Sequence, residues 1–257
     1  MRVLPLRVVH RNALVYRHTW RGSLFGSFLQ PSLFMLSMGL GVGGLVDRGG
    51  SALPGGVGFL AFLAPGLLAG ACMQTGAFES SWAILGKMTW QRNYEAITAT
   101  PATTRDIVVG ELTWLALRLT TVAIAFMIVM TAFGVPRSPT AIFAIPAAVL
   151  TGVSCAAPIM AYAATLTGGN DFNVIFRFVI TPMFLFSGVF FPIEQLPVLM
   201  RAAAMALPLY HGVALTRAFT LNAVDPPAIA VHLAYLLALL AIGIAAAFRT
   251  FRRKLYV

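Results

Sequence analysis

This sequence predicts an all-α polytopic membrane protein with six transmembrane helices, an N-terminal interfacial amphipathic helix and an outer re-entrant helical hairpin. Three observations carry the prediction. The 257 residues are 59% hydrophobic and only 10% charged, whereas a soluble domain carries about 25% charged residues. The apolar residues fall in uncharged runs near the roughly 20 residues that cross a bilayer. Twelve of the 18 basic residues lie in residues 2–21, residues 84–106 and the tail, where basic inward-facing segments would place them. No stretch is long and polar enough to form a separate soluble domain, so residues 1–257 read as a single membrane domain. The formal charge of +10 would suggest nucleic acid in a soluble chain. Here it belongs to topology, and no nucleic-acid partner is expected.

Residues 2–21 are too rich in arginine to cross. On a helical wheel Arg7, His10, Arg11, Arg17, His18 and Arg21 share one arc, and Leu6, Val8, Val9, Tyr16 and Trp20 spread over the other side. Such a pattern suits a helix lying on the inner leaflet, in contact with membrane lipid; a basic tail that only obeys topology is the alternative. The first span is expected at about 24–46, with Gly39, Gly41, Gly43 and Gly44 permitting close packing, and a Gly-rich outer loop at 47–56. The second span covers about 57–82, with Glu79 near its inner end. The first apolar run is too long for a signal-peptide core and reads as a retained span.

A third span at about 107–133 contains Glu111 and Arg118, seven residues apart and so on one helical face. Intramembrane charges suggest function. The structural alternative places Glu111 at the interface, with Arg118 snorkelling or paired with Glu111 or Glu79. The fourth span, about 141–167, is charge-free, with Pro146 and Pro158 as kinks. After a turn at Gly168-Gly169-Asn170-Asp171, a short fifth span runs from 174 to about 191. Residues 193–217 are apolar but broken by Pro197 and Pro208. They fall below crossing length and read as two short helices dipping into the outer leaflet. The last span covers about 228–248 and is stopped by the basic tail. Six crossings put both termini inside the cell.

Catalytic chemistry finds no footing. Gly86-Lys87 has Ser81 where a phosphate-binding loop needs glycine and Met88 where it needs Ser or Thr. Gly152-Val153-Ser154-Cys155 and Gly169-Asn170-Asp171 miss intramembrane-protease motifs, and His10, His18, His211 and His232 form no zinc motif. Cys72 and Cys155 lie inside apolar runs, as buried thiols rather than a disulfide or metal site. No catalytic residue, metal site or bound cofactor is expected.

The polar stretch 84–111, ILGKMTWQRNYEAITATPATTRDIVVGE, interrupts the apolar pattern. It is too long for a simple turn and has room for a short helix, a break and the start of the next span. Within it, Trp90 to Ala96, Ala99-Thr100-Pro101 and Arg105 to Glu111 resemble the cytoplasmic loop of ABC type-2 transporter permeases. The resemblance is nearest the branch of nodulation lipo-oligosaccharide exporters and related drug or glycolipid exporters. A second block agrees: Phe186 to Pro197, then Leu207-Pro208-Leu209-Tyr210-His211-Gly212, then Arg217.

The resemblance implies a permease subunit in the bacterial inner membrane. It would act with two ABC ATPase subunits that hold the ATP and Mg, and with a second permease copy as homodimer or heterodimer. It implies that 87–98 forms an ATPase-coupling helix, with Lys87, Trp90, Arg92, Tyr94 and Glu95 at the contact and Thr100-Pro101 as the break. It implies an outer gate at 193–217, with Phe190, Phe191, Pro192, Glu194, Pro197, Pro208 and Tyr210. An ATP-independent carrier and a non-transporting assembly factor are the rival readings. The carrier is disfavoured because no internal repeat is evident.

Overall fold

The computed structural model describes residues 4–44, 57–136 and 138–256. Among these the secondary structure is helical throughout. Helix α1 spans Leu4–Leu36 and continues through a π turn, Ser37–Gly43. Helix α2 is Phe59–Leu85, extended by a π turn at Gly86–Trp90, and α3 is the short Asn93–Thr98. Helix α4 is Thr104–Ala132. A 3-10 turn, Pro139–Phe143, leads into α5, Ala144–Ala163. Helices α6, Asn170–Ile175, and α7, Thr181–Phe186, are joined by a π turn at Phe176–Ile180. Helices α8, Val198–Met205, and α9, Pro208–Thr220, follow, and α10, Pro226–Leu255, closes the chain.

By length and composition, four helices among the described residues suffice to cross a membrane: α2 with its π turn, α4, α5 with its 3-10 turn, and α10. A fifth is added if α8 and α9, bent by 80°, count as one span. Three expected boundaries move. The interfacial helix and the first span are one unbroken helix, because helical hydrogen bonding is indifferent to the polarity change near residue 22. The outer end of that span and the loop at 47–56 lie outside the described residues. The second span continues eight residues beyond Trp82, through Trp90. The fifth ends earlier than expected, at Phe186, and residues 187–191 are non-helical bends.

The core is built on α5. It packs most extensively against α2 and α10, and also against α9 and α4, while α1 lies along α4. The α2–α5 crossing depends on glycine. A Cβ on Gly76 would lie 2.7 Å from the Gly152 carbonyl oxygen, and one on Gly152 would lie 2.7 Å from that of Cys72. Two backbones can approach this closely only without side chains, as in other membrane helix pairs. The polar residues of α5 satisfy themselves: Thr151 and Ser154 donate to the Ala147 and Thr151 carbonyls at 2.8 and 2.9 Å, so a buried hydroxyl needs no outside partner. The apolar surface of α10, including Val231, Leu237 and Ile242, faces outward, as it must where lipid is the solvent.

Candidate functional site

The 84–111 stretch is an ordered elbow. Helix α2 runs straight into it, and Arg92 then takes a left-handed conformation (φ 48°) that turns the chain into α3. Thr98 and Thr100 close α3 by donating to the Glu95 and Ile97 carbonyls at 2.9 and 2.7 Å. Pro101 follows and cannot continue a helix ladder. Thr103 and Asp106 then start α4 with a reciprocal capping box.

Beneath the elbow lies a buried polar node centred on Glu111, which is 3% exposed. Lys87 Nζ donates to both carboxylate oxygens, at 2.9 and 2.7 Å. Asn12 Nδ2 donates at 2.9 Å and the Tyr94 hydroxyl at 3.0 Å. Lys87 also reaches Asn12 Oδ1 at 3.2 Å. One carboxylate thus ties together α1, the end of α2, α3 and α4. The Tyr94 ring packs on Phe251 of α10, with centroids 5.7 Å apart, which adds a fifth element. Burial, followed by the Glu111 charge and hydrogen bond, pushes the Tyr94 phenol well above its usual range. It therefore remains the proton donor.

This geometry divides the expected coupling residues. Lys87 and Tyr94 turn inward, because Glu111 would otherwise be a buried charge without partners. Trp90, Arg92 and Glu95 stay exposed, Trp90 at 69%. Thr100 is exposed and ends the short helix next to Pro101. The intramembrane charges also separate. Glu111 and Arg118 share a helix face, but Arg118 pairs with Glu79, Nε to Oε1 at 3.2 Å. The Arg118 guanidinium also lies 4.7 Å from the Tyr16 ring centroid.

The opposite end of α2 carries the second sequence block. Gly188 takes φ +78° and so makes a bend that L side chains resist. Arg217 donates to the Phe62 carbonyl at 3.1 and 3.3 Å and to the Gly188 carbonyl at 2.9 Å, with its guanidinium 3.8 Å from the Phe62 ring centroid. Pro192, Glu194 and Tyr210 come together with Arg217 around a cavity of about 240 Å³. Phe190 instead packs edge-on against Phe184 at 5.2 Å and near Phe34 at 6.1 Å. Half-buried Phe191 and exposed Pro197 do not line that cavity. Pro197 caps α8, and Pro208 opens α9. His211 and His232 meet Nδ1 to Nδ1 at 2.8 Å. No group of three metal-ligating side chains is present among the described residues.

Asn12 and Phe251 were not foreseen. Asn12 lies four residues beyond buried Val8, on the same face of α1. That spacing is the signal that it faces inward. Phe251 sits among the basic tail residues, and nothing in its local sequence marks it.

The chain matches the ABC-2 type transporter family model over residues 6–221. Among its relatives, nodulation protein J of Rhizobium leguminosarum bv. trifolii is 33% identical, with 84% of this chain and 81% of the relative aligned. Nodulation protein J of R. leguminosarum bv. viciae is 34% identical, over 82% and 80%. The Neorhizobium galegae protein of the same name is 32% identical, over 96% and 92%. With a family match across most of its length and several helices long enough to cross a bilayer, this chain belongs to the ABC-2 type transporter family, as a multi-pass membrane permease.

Proposed function

We propose that this permease is the membrane-spanning subunit of an ATP-driven exporter, and that residues 87–98 form the lever through which separate ATPase subunits act on it. The observation that carries the reading is the two-sided elbow. Its outer side presents Trp90, Arg92 and Glu95, and its inner side is anchored through Lys87 and Tyr94 to Glu111. A lever needs both a surface to be pushed and a fixed attachment to what it moves. The ATPase pair would bind ATP and Mg, and its closure would displace α3 and bias the permease between inward- and outward-open arrangements.

In this reading the elbow and both termini face the cytoplasm, six segments cross the inner membrane, and two permease copies, identical or related, line the path. Residues 193–217, around the Pro192–Glu194–Tyr210 cavity, form the outer gate. The cargo is amphipathic: a lipid-linked saccharide, a glycolipid or a hydrophobic drug. Support comes from the resemblance of the 84–111 and 186–217 blocks to lipo-oligosaccharide and glycolipid exporters and from the scarcity of charge along the bundle.

The test is co-expression with a candidate ABC ATPase from the same genome, purification, and reconstitution in lipid. Co-purification with glycolipid-stimulated ATP hydrolysis is expected. Cargo movement that needs no ATP would instead establish a carrier, and neither association nor movement would leave an assembly factor.

A further inference from the structure

A cavity of about 360 Å³ lies beside the Glu111 node, walled by α1, α2 and α4. Arg11, Asn12, Val15, Tyr16 and Thr19 of α1 line it, a spacing that puts them on one helical face. Its charges do not balance. Glu111 is occupied by Lys87, Asn12 and Tyr94, and Glu79 pairs with Arg118. Arg11 takes part in neither ion pair, and its Nη1 is buried without a hydrogen-bond partner. The Tyr16 hydroxyl is likewise buried and unpartnered. Two orphaned polar groups on one cavity wall are the kind of exception that calls for a missing partner. With three cations and two carboxylates around it, that partner should carry about one negative charge and accept hydrogen bonds.

We infer that this cavity is a binding site for the phosphodiester headgroup of an anionic membrane lipid, held by the Arg11 guanidinium and the Tyr16 hydroxyl. A phosphodiester supplies one negative charge and several acceptor oxygens. A lipid is favoured over a soluble phosphate because the exposed surface of α1 beside the cavity carries Leu14, Val15 and Trp20 together with Arg17 and Arg21, an amphipathic face suited to a membrane surface. The inference does not depend on export or on an ATPase, so it stands or falls separately from the transport reading.

Native mass spectrometry of the purified permease tests it, using chain-matched phosphatidylglycerol and phosphatidylcholine as probes. The wild type should retain phosphatidylglycerol preferentially. Arg11→Gln should weaken that retention about tenfold or more, the usual effect of losing a charged hydrogen bond. Arg201→Gln, on exposed α8 and outside the cavity, should retain it, and Arg11→Lys should restore part of it. Tyr16→Phe, which removes a single oxygen, reads the same site should Arg11→Gln fail to fold. Equal retention of both lipids, or undiminished retention in both Arg11→Gln and Tyr16→Phe, would overturn the inference. A parallel arm adds inorganic phosphate. Displacement of the lipid only at phosphate concentrations far above those of the lipid supports a lipid ligand; phosphate binding with no lipid preference overturns that assignment.

Discussion

The two ends of α2 hold their charges in different ways. At the Lys87 end, cation and carboxylate find each other, and two neutral donors fill the remaining lone pairs of Glu111. At the Phe62 end, Arg217 has carbonyl oxygens and an aromatic face. The first arrangement joins four helices at a single carboxylate and reaches a fifth through the Tyr94–Phe251 ring contact. The second clips one helix to the carbonyls of α2 and a left-handed bend, next to a pair of helices bent by 80°. A saturated node of side chains fixes relative positions, because each member is held from several sides. Bonds to bend carbonyls are fewer and leave the bend free to reshape. The Lys87 end therefore reads as a clamp and the Phe62 end as a hinge, the division that the proposed lever and gate would require.

The comparison is broken most severely at the clamp. Lys87→Met leaves Glu111 buried with neutral donors alone. It should cost about 3–5 kcal/mol, the usual result of removing one partner of a buried pair, seen as a large fall in the midpoint of thermal or detergent-induced unfolding. Arg217→Met should cost less, about 1–3 kcal/mol, because only carbonyl acceptors are left unpaired. A greater loss at Arg217 than at Lys87 would reverse the assignment of clamp and hinge.

Smaller effects sharpen it. Gly188→Ala should destabilise by about 1–2 kcal/mol, since it forces a side chain into the left-handed region and brings a Cβ to 3.0 Å from Ile193 Cγ2. Stability unchanged within error would show that the bend relaxes freely. Trp90→Ala and Glu95→Arg should leave stability within about 0.5 kcal/mol, because both side chains are exposed. Each should nevertheless reduce ATPase association or transport. Full association and full transport in both variants would remove the docking surface from α3.

What the sequence made legible follows from local physics. Apolar length located α2, α4, α5 and α10, because the hydrocarbon thickness sets a minimum run. Pro197 and Pro208 marked the starts of α8 and α9, because proline lacks the amide a helix interior needs. The Trp90–Glu95 segment stood out as polar residues between apolar runs. Hidden from the sequence were the facts that depend on distant partners. Lys87 and Tyr94 read as surface residues because their acceptor, Glu111, lies one helix further on, and the last member of the node, Asn12, is 99 residues from Glu111. The continuity of α1 was hidden for another reason. Its arginines signal where polarity changes, and the backbone has no cause to break there.

Hydrogen–deuterium exchange on the lipid-embedded permease tests the clamp and the hinge together. A six-residue helix on its own would exchange almost at once. The account predicts that residues 93–98 are protected to an extent approaching the first turns of α4, and clearly more than residues 187–197, and that Glu111→Gln removes this protection while leaving 187–197 unchanged. Exchange across 93–98 as fast as across 187–197 in the wild type would contradict it.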